Sequence, residues 1–191
     1  MQALLLALAG YGLLVGAPRT ITNATIGFLV TLLPALLRAN WRVVLAPGLT
    51  LWITTAVCLH ALGTSGLYRQ VGWWDSLTHV LSASLVAATG YVVVRVLDLH
   101  SERIDLPQRV LTIYLVIFVL ALGVLWELFE FALDEIARRT QVTMPLAQYG
   151  LEDTITDLTF NIVGALVVGL GGQVYLSAFA DRLRKQFLDQ P

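Results

Sequence analysis

Long apolar runs broken by short polar connections dominate this sequence. Reading for stretches of about 20 apolar residues, the length needed to cross a hydrocarbon core, gives six segments: 3–17, 21–37, 43–62, 74–96, 110–133 and 153–176. The first is short and closes at Pro18-Arg19, and the second is expected to bend near Pro34. These two can instead form a shallow hairpin. Backbone groups inside a bilayer must be paired within the protein, and for continuous apolar runs of this length a helix is the natural way, so each run is expected to be helical. The expected fold is all-α: a polytopic membrane helical bundle of about six transmembrane helices in one domain, with residues 177–191 as a tail.

Composition agrees with the pattern. Hydrophobic residues make up 57% of the 191 positions and charged residues 13%, against roughly 25% charged in a soluble domain. The net charge of −1 gives no case for nucleic-acid binding. Cys58 is the only cysteine, which excludes disulfides, thiolate zinc sites and iron–sulfur clusters within one chain. The apolar N-terminus lacks a basic leading region and a small-residue cleavage site, and reads as a retained span.

Aromatic residues mark segment ends: Trp41 before the third run, and Tyr68, Trp73 and Trp74 before the fourth. After the sixth run, Phe179, Leu183 and Phe187 recur at i, i+4, i+8 with Arg182, Arg184 and Lys185 between them. That suits an amphipathic helix on the membrane surface, or equally a frayed, solvated tail. With six spans, eight Lys/Arg fall on one side: Arg38, Arg42, Arg95, Arg103, Arg109, Arg182, Arg184 and Lys185. Only Arg19, Arg69, Arg138 and Arg139 fall on the other. The excess of basic residues is expected to place both termini of this multi-pass chain in the cytoplasm.

The acids gather on the side poor in Lys/Arg. Asp75 and His79 share one face of the fourth run at i, i+4; Glu127 and Glu130 lie at i, i+3 near the end of the fifth, with Asp134 beyond. Asp153, Asp157 and Asn161 form an i, i+4, i+8 stripe at the start of the sixth. An ionised acid at a span's centre costs roughly 2.5–3.5 kcal/mol, less toward the interface. Several acids at one depth therefore need an offset: protonation, arginine partners, water or a cation. Taken singly, Asp75 and Asp153 read as helix caps or dipole partners, and Asp134 and Glu135 as solvated residues at a helix end. His60 reads as a hydrogen-bonded packing residue, His100 as a loop residue, and the sequon Asn23-Ala24-Thr25 as buried in an apolar run. Taken together, Asp75, His79, Glu127, Glu130, Asp153 and Asp157 are the expected ligands of a divalent metal ion. Carboxylates with one imidazole suit Zn, Mn, Fe or Mg.

The pattern Asp75-x-x-x-His79, Trp126-Glu127-Leu128-x-Glu130, and Asp153-Thr154-x-x-Asp157 with Gly164-Ala165 resembles the YjdF-like family of small prokaryotic inner-membrane proteins. The resemblance covers residues 68–172. It departs at Glu152, where that family tends to carry an aromatic residue. A looser likeness exists to the VanZ-like membrane proteins. The YjdF-like resemblance implies the plasma (inner) membrane of a prokaryote. Neither likeness implies a reaction.

Three functions remain open. A metal-dependent hydrolase of a lipid or envelope substrate would use a metal-bound water as nucleophile and a spare carboxylate as base. A cation or proton-coupled transporter or channel would use the acids as its ion site. A small accessory membrane subunit would pair them with a partner's basic residues. Membrane lipid is the expected partner, with a homo-oligomer open. The segment ends far from the acids, Val92-Val93-Val94, Leu111-Thr112-Ile113 and Val167-Val168-Gly169-Leu170, are mostly apolar, which favours a one-sided site.

Overall fold

The structure, a computed structural model, describes residues 1–100, 106–144, 146 and 150–187. Arg103, used above in the charge count, lies outside the described residues, as do residues 188–191 of the tail.

The described residues are all-α. Helix α1 is Gln2–Val15, α2 Pro18–Thr31, α3 Leu33–Trp41 and α4 Pro47–Leu62. A π-helical turn, Gly63–Leu67, runs into the short α5, Tyr68–Gln70. Three long helices follow: α6 Trp74–His100, α7 Gln108–Thr140 and α8 Leu151–Phe187.

The segment expected at 21–37 breaks at Leu32, whose N–H bonds back to the Leu29 carbonyl rather than continuing the α-helical ladder. Pro34 sits in the first turn of α3, where its missing N–H costs nothing, and its ring denies the Val30 carbonyl an α-helical partner. The segment expected at 43–62 begins at Pro47 because residues 42–46 are not helical and Arg42 holds the left-handed conformation (φ 55°). Helix α6 continues through His100, expected in a loop. Helix α7 continues to Thr140, so Asp134 and Glu135 stand inside a helix, and Glu135 pairs with Arg138 and Arg139. Helix α8 is unbroken to Phe187, which replaces the frayed-tail alternative.

The expected count of six spans is not carried by this structure. Among the described residues, four helical stretches are long and apolar enough to cross a membrane: Pro18–Trp41, Trp74–Asp98, Gln108–Thr140 and Leu151–Gly172. Helix α1 has 14 residues, about 21 Å of rise against the roughly 30 Å of a hydrocarbon core. Helix α4 has 16, about 24 Å. The apolar surface of the long helices points outward: the most apolar window of Gln108–Thr140 has mean hydropathy 2.4 and is only 28% buried. Water cannot solvate such faces cheaply, and a lipid phase can.

Two compact units divide the chain, and the boundary cuts through α6, α7 and α8. The first comprises Met1–Thr78 and Leu125–Thr156. Its N-terminal helices pack around Leu5, Leu8, Ala24, Cys58 and Ala61, all buried. Helices α2 and α4 run antiparallel: Thr20 Oγ1 donates to the Thr64 carbonyl at 3.0 Å, and His60 Nε2 meets Asn23 Oδ1 at 3.2 Å one turn further along. Arg19 Nε donates to the Met144 carbonyl at 2.9 Å, bringing the start of α2 to the α7–α8 connection.

The second unit comprises His79–Val124 and the chain from Asp157 onward. Its core is Ala83, Ala87, Ala88, Tyr91, Leu111, Leu115, Val119, Ala165 and Val168. The segment ends that read as apolar carry a polar set as well. Asp98, buried, takes the Arg95 guanidinium and the Leu106 N–H. Gln108 Nε2 and Thr112 Oγ1 both donate to the Gly169 carbonyl. These groups satisfy one another, so they read as packing contacts rather than as an ion path.

Candidate metal centre

Helix α6 supplies His79 and helix α8 supplies Asp157 within the second unit. The two helices approach closely because Gly164 has no side chain. A Cβ there would stand 2.6 Å from the Val80 carbonyl oxygen and 2.9 Å from the Ala83 Cβ. That contact lies about two turns beyond Asp157, near enough to fix the spacing between the two side chains. His79 Nε2 lies 3.5 Å from Asp157 Oδ1, with the His79 side chain 16% exposed and that of Asp157 3%. Burial of the carboxylate is the deciding number, because an ionised acid held there needs a positive partner.

The opposite imidazole nitrogen is held from α8 as well. His79 Nδ1 lies 3.3 Å from Asn161 Oδ1. The Asn161 amide packs against α7 where Gly123 leaves room for it: a Cβ on that glycine would stand 2.8 Å from Nδ2. With Nδ2 turned to α7, Oδ1 faces His79 and accepts from Nδ1–H. That tautomer leaves the Nε2 lone pair directed at Asp157, the form an imidazole needs as a metal ligand. Two electron-rich atoms 3.5 Å apart call for a proton or a cation between them.

Asp75 stands one turn before His79 on the same helix and completes, with His79 and Asp157, a group of three that can hold a metal ion. Asp75 and Asp153 both fall inside the first turns of their helices rather than at the caps. The remaining expected ligands sit in the first unit. Glu127, buried, accepts from Thr154 Oγ1 at 2.9 Å. Glu130 accepts from Trp126 Nε1 at 3.0 Å, and the charges of Glu127, Asp75 and Asp153 all reach it. The six expected residues thus fall into an imidazole–carboxylate pair in one unit and four neighbouring acids in the other. Asp75–His79 and Asp153–Asp157 are each linked by one turn of continuous helix.

Sequence reasoning left Asn161 and Thr154 out of the ligand set. The signal for Asn161 was its place on the Asp153, Asp157 stripe. The signal for Thr154 was its place in the Asp153-Thr154-x-x-Asp157 pattern, although a hydroxyl within an apolar helix usually returns to its own backbone.

Comparison with known proteins bears on the family and stops short of chemistry. Residues 1–178 match the model of a family described as predicted membrane protein (DUF2238). The YjdF-like resemblance of the motifs fits that family. A Thermotoga maritima protein named only as uncharacterized is 30% identical over 118 residues, which span 60% of this chain and 56% of that relative. No solved structure matches.

Proposed function

The chain belongs to this family of membrane proteins, and on that premise we propose that it is a metal-binding membrane protein in which Asp75, His79 and Asp157 hold a divalent cation. The observation that carries the reading is the buried Asp157 carboxylate 3.5 Å from His79 Nε2, with Asn161 on the other ring nitrogen. An Asn-oriented imidazole beside carboxylates is the ligand set of a hard or borderline ion such as Zn, Mn, Fe or Mg. The nearby acids Glu127, Glu130 and Asp153 supply general-base capacity and negative potential. When bound, such an ion would lower the pKa of a coordinated water and polarise an ester or phosphoryl oxygen. Metal-dependent hydrolysis of a lipid or envelope substrate is the reaction class these parts suit. The mutual satisfaction of the polar groups at Asp98 and Gly169 favours this reading over cation conduction.

The proposal takes the prokaryotic plasma membrane from the family resemblance and the orientation from the ends of α6–α8: Arg95, Arg109, Arg182, Arg184 and Lys185 against Arg69, Arg138 and Arg139 put the Asp75 end outside and both termini inside. With Cys58 replaced by Ala, a cysteine at Gly72, before α6, is expected to label from outside and one at Pro107, after α6, to stay protected. The reverse pattern would overturn the orientation.

The metal reading is tested by elemental analysis of protein purified in mild detergent without chelator. About one divalent ion per chain is expected, lost in Asp157→Asn. A wild type holding no more metal than that variant sinks the proposal.

A further inference from the structure

A hydrogen-bonded chain of neutral groups runs through the first unit to the turn that carries Asp75. Asn23 Nδ2 donates to the Arg19 carbonyl at 2.8 Å, which leaves Asn23 Oδ1 to accept from His60 Nε2–H at 3.2 Å. His60 Nδ1 then accepts from the Tyr68 hydroxyl at 2.7 Å. With its own proton on His60, the Tyr68 oxygen accepts from Thr78 Oγ1–H at 3.4 Å, sharing the one Thr78 proton with the Asp75 carbonyl at 2.8 Å. Trp74 Nε1 adds a second tie, donating to the Leu59 carbonyl at 3.1 Å. The first turn of α6 is therefore docked on the last turn of α4 by two aromatic side chains.

The backbone between those turns is shaped for this. Residues 63–67 form a π-helical turn, a feature that recurs at functional sites, and Gly66 within it takes φ 128°. The Tyr68 ring folds back over Gly63 so closely that a Cβ there would stand 2.4 Å from two ring atoms. The bulge and the two glycines place an aromatic hydroxyl between His60 and Thr78, an arrangement that an uninterrupted helix would not supply.

We propose that Tyr68 is a positioning residue for the metal centre: held by His60 and Asn23, it fixes through Thr78 the first turn of α6 and so the aim of Asp75 and His79. The inference rests on the metal reading above. Groups hydrogen-bonded directly to a metal ligand typically contribute 10–100-fold in affinity, and Tyr68 stands one contact behind the ligands, so the lower end of that range is expected.

The test is Co²⁺ titration of full-length protein in detergent, followed by the ligand-field spectrum, with thermal unfolding of the metal-free form in parallel. Tyr68→Phe keeps the ring over Gly63 and removes the hydroxyl. It is expected to weaken Co²⁺ about tenfold while leaving the metal-free unfolding midpoint close to wild type, a split that a merely structural tyrosine would not produce. Wild-type affinity in Tyr68→Phe, alongside lost binding in Asp157→Asn, overturns this inference and leaves the metal reading standing. No Co²⁺ uptake by the wild type overturns both. Should Tyr68→Phe fail to fold, His60→Gln is measured instead; unchanged Co²⁺ affinity there overturns the inference.

Discussion

His60 and His79 are both partly buried histidines on helices of one membrane chain, and their surroundings differ in kind. Around His60 the ring nitrogens meet an amide oxygen and a phenol. Each offers a neutral hydrogen bond of good length, and the imidazole is satisfied as a neutral ring. Around His79 one nitrogen meets an amide oxygen while the other faces a buried carboxylate, with a second carboxylate one turn away. The difference teaches that an intramembrane histidine is not informative by itself. The formal charge of its partners separates a packing residue from a candidate ligand, because in a low-dielectric surrounding a carboxylate must be matched by a positive group.

The sharpest way to break the comparison is to remove the charge at the His79 site. Asp157→Asn is expected to reduce divalent-metal affinity at least a hundredfold, measured by isothermal titration, whereas His60→Gln should leave measurable binding. Equal losses from both would make the two histidines alike. Next in size is Asn161→Leu, which removes the acceptor that sets the His79 tautomer; a 10–100-fold loss of affinity is expected, with the metal-to-protein ratio at saturation unchanged.

Gly164→Ala probes the helix approach on which the His79 site depends. Its new methyl would press on the Val80 carbonyl and Ala83, and overpacking of this kind costs about 1–3 kcal/mol. A lowered thermal midpoint with weakened metal binding is the expected pair of results; an unchanged midpoint would show that α6 and α8 are not closely packed there.

The smallest effect lies far from both histidines. Lys185 and Arg184 bond to Asp181 at 2.9 and 3.2 Å and hold its carboxyl below the ordinary value of 3.8. A depressed folded-state pKa contributes stability that is fully present above the unfolded value and is lost as pH falls through the folded one. Hydrogen exchange in the last turns of α8 should therefore be flat from pH 5 to 8 and quicken, relative to the intrinsic rate, only below about pH 4. An altered profile at neutral pH would indicate another group.

What the sequence alone determined follows from one-dimensional facts. Apolar run length and the low share of charge dictated helices with lipid-facing surfaces, because a continuous apolar run of about 20 residues crosses a membrane with its own polar groups paired only as a helix. Helical periodicity also put Asp75 with His79, and Asp157 with Asn161, on shared faces. Helix ends were less legible. The break at Leu32, the late start at Pro47 and the extension of α7 to Thr140 depend on local backbone geometry and on ion pairs of Glu135 that no hydropathy pattern encodes. The carboxylate on its own helix face already set His79 apart from His60 in the sequence; only tertiary structure decided that the buried acid it meets is Asp157. That choice depends on how closely α8 can approach α6, which the missing side chain of Gly164 permits, and on Gly123, which leaves room for the Asn161 amide. It also gave Tyr68 a role that its place among interfacial aromatics concealed, since a π-helical turn carries its hydroxyl back to His60.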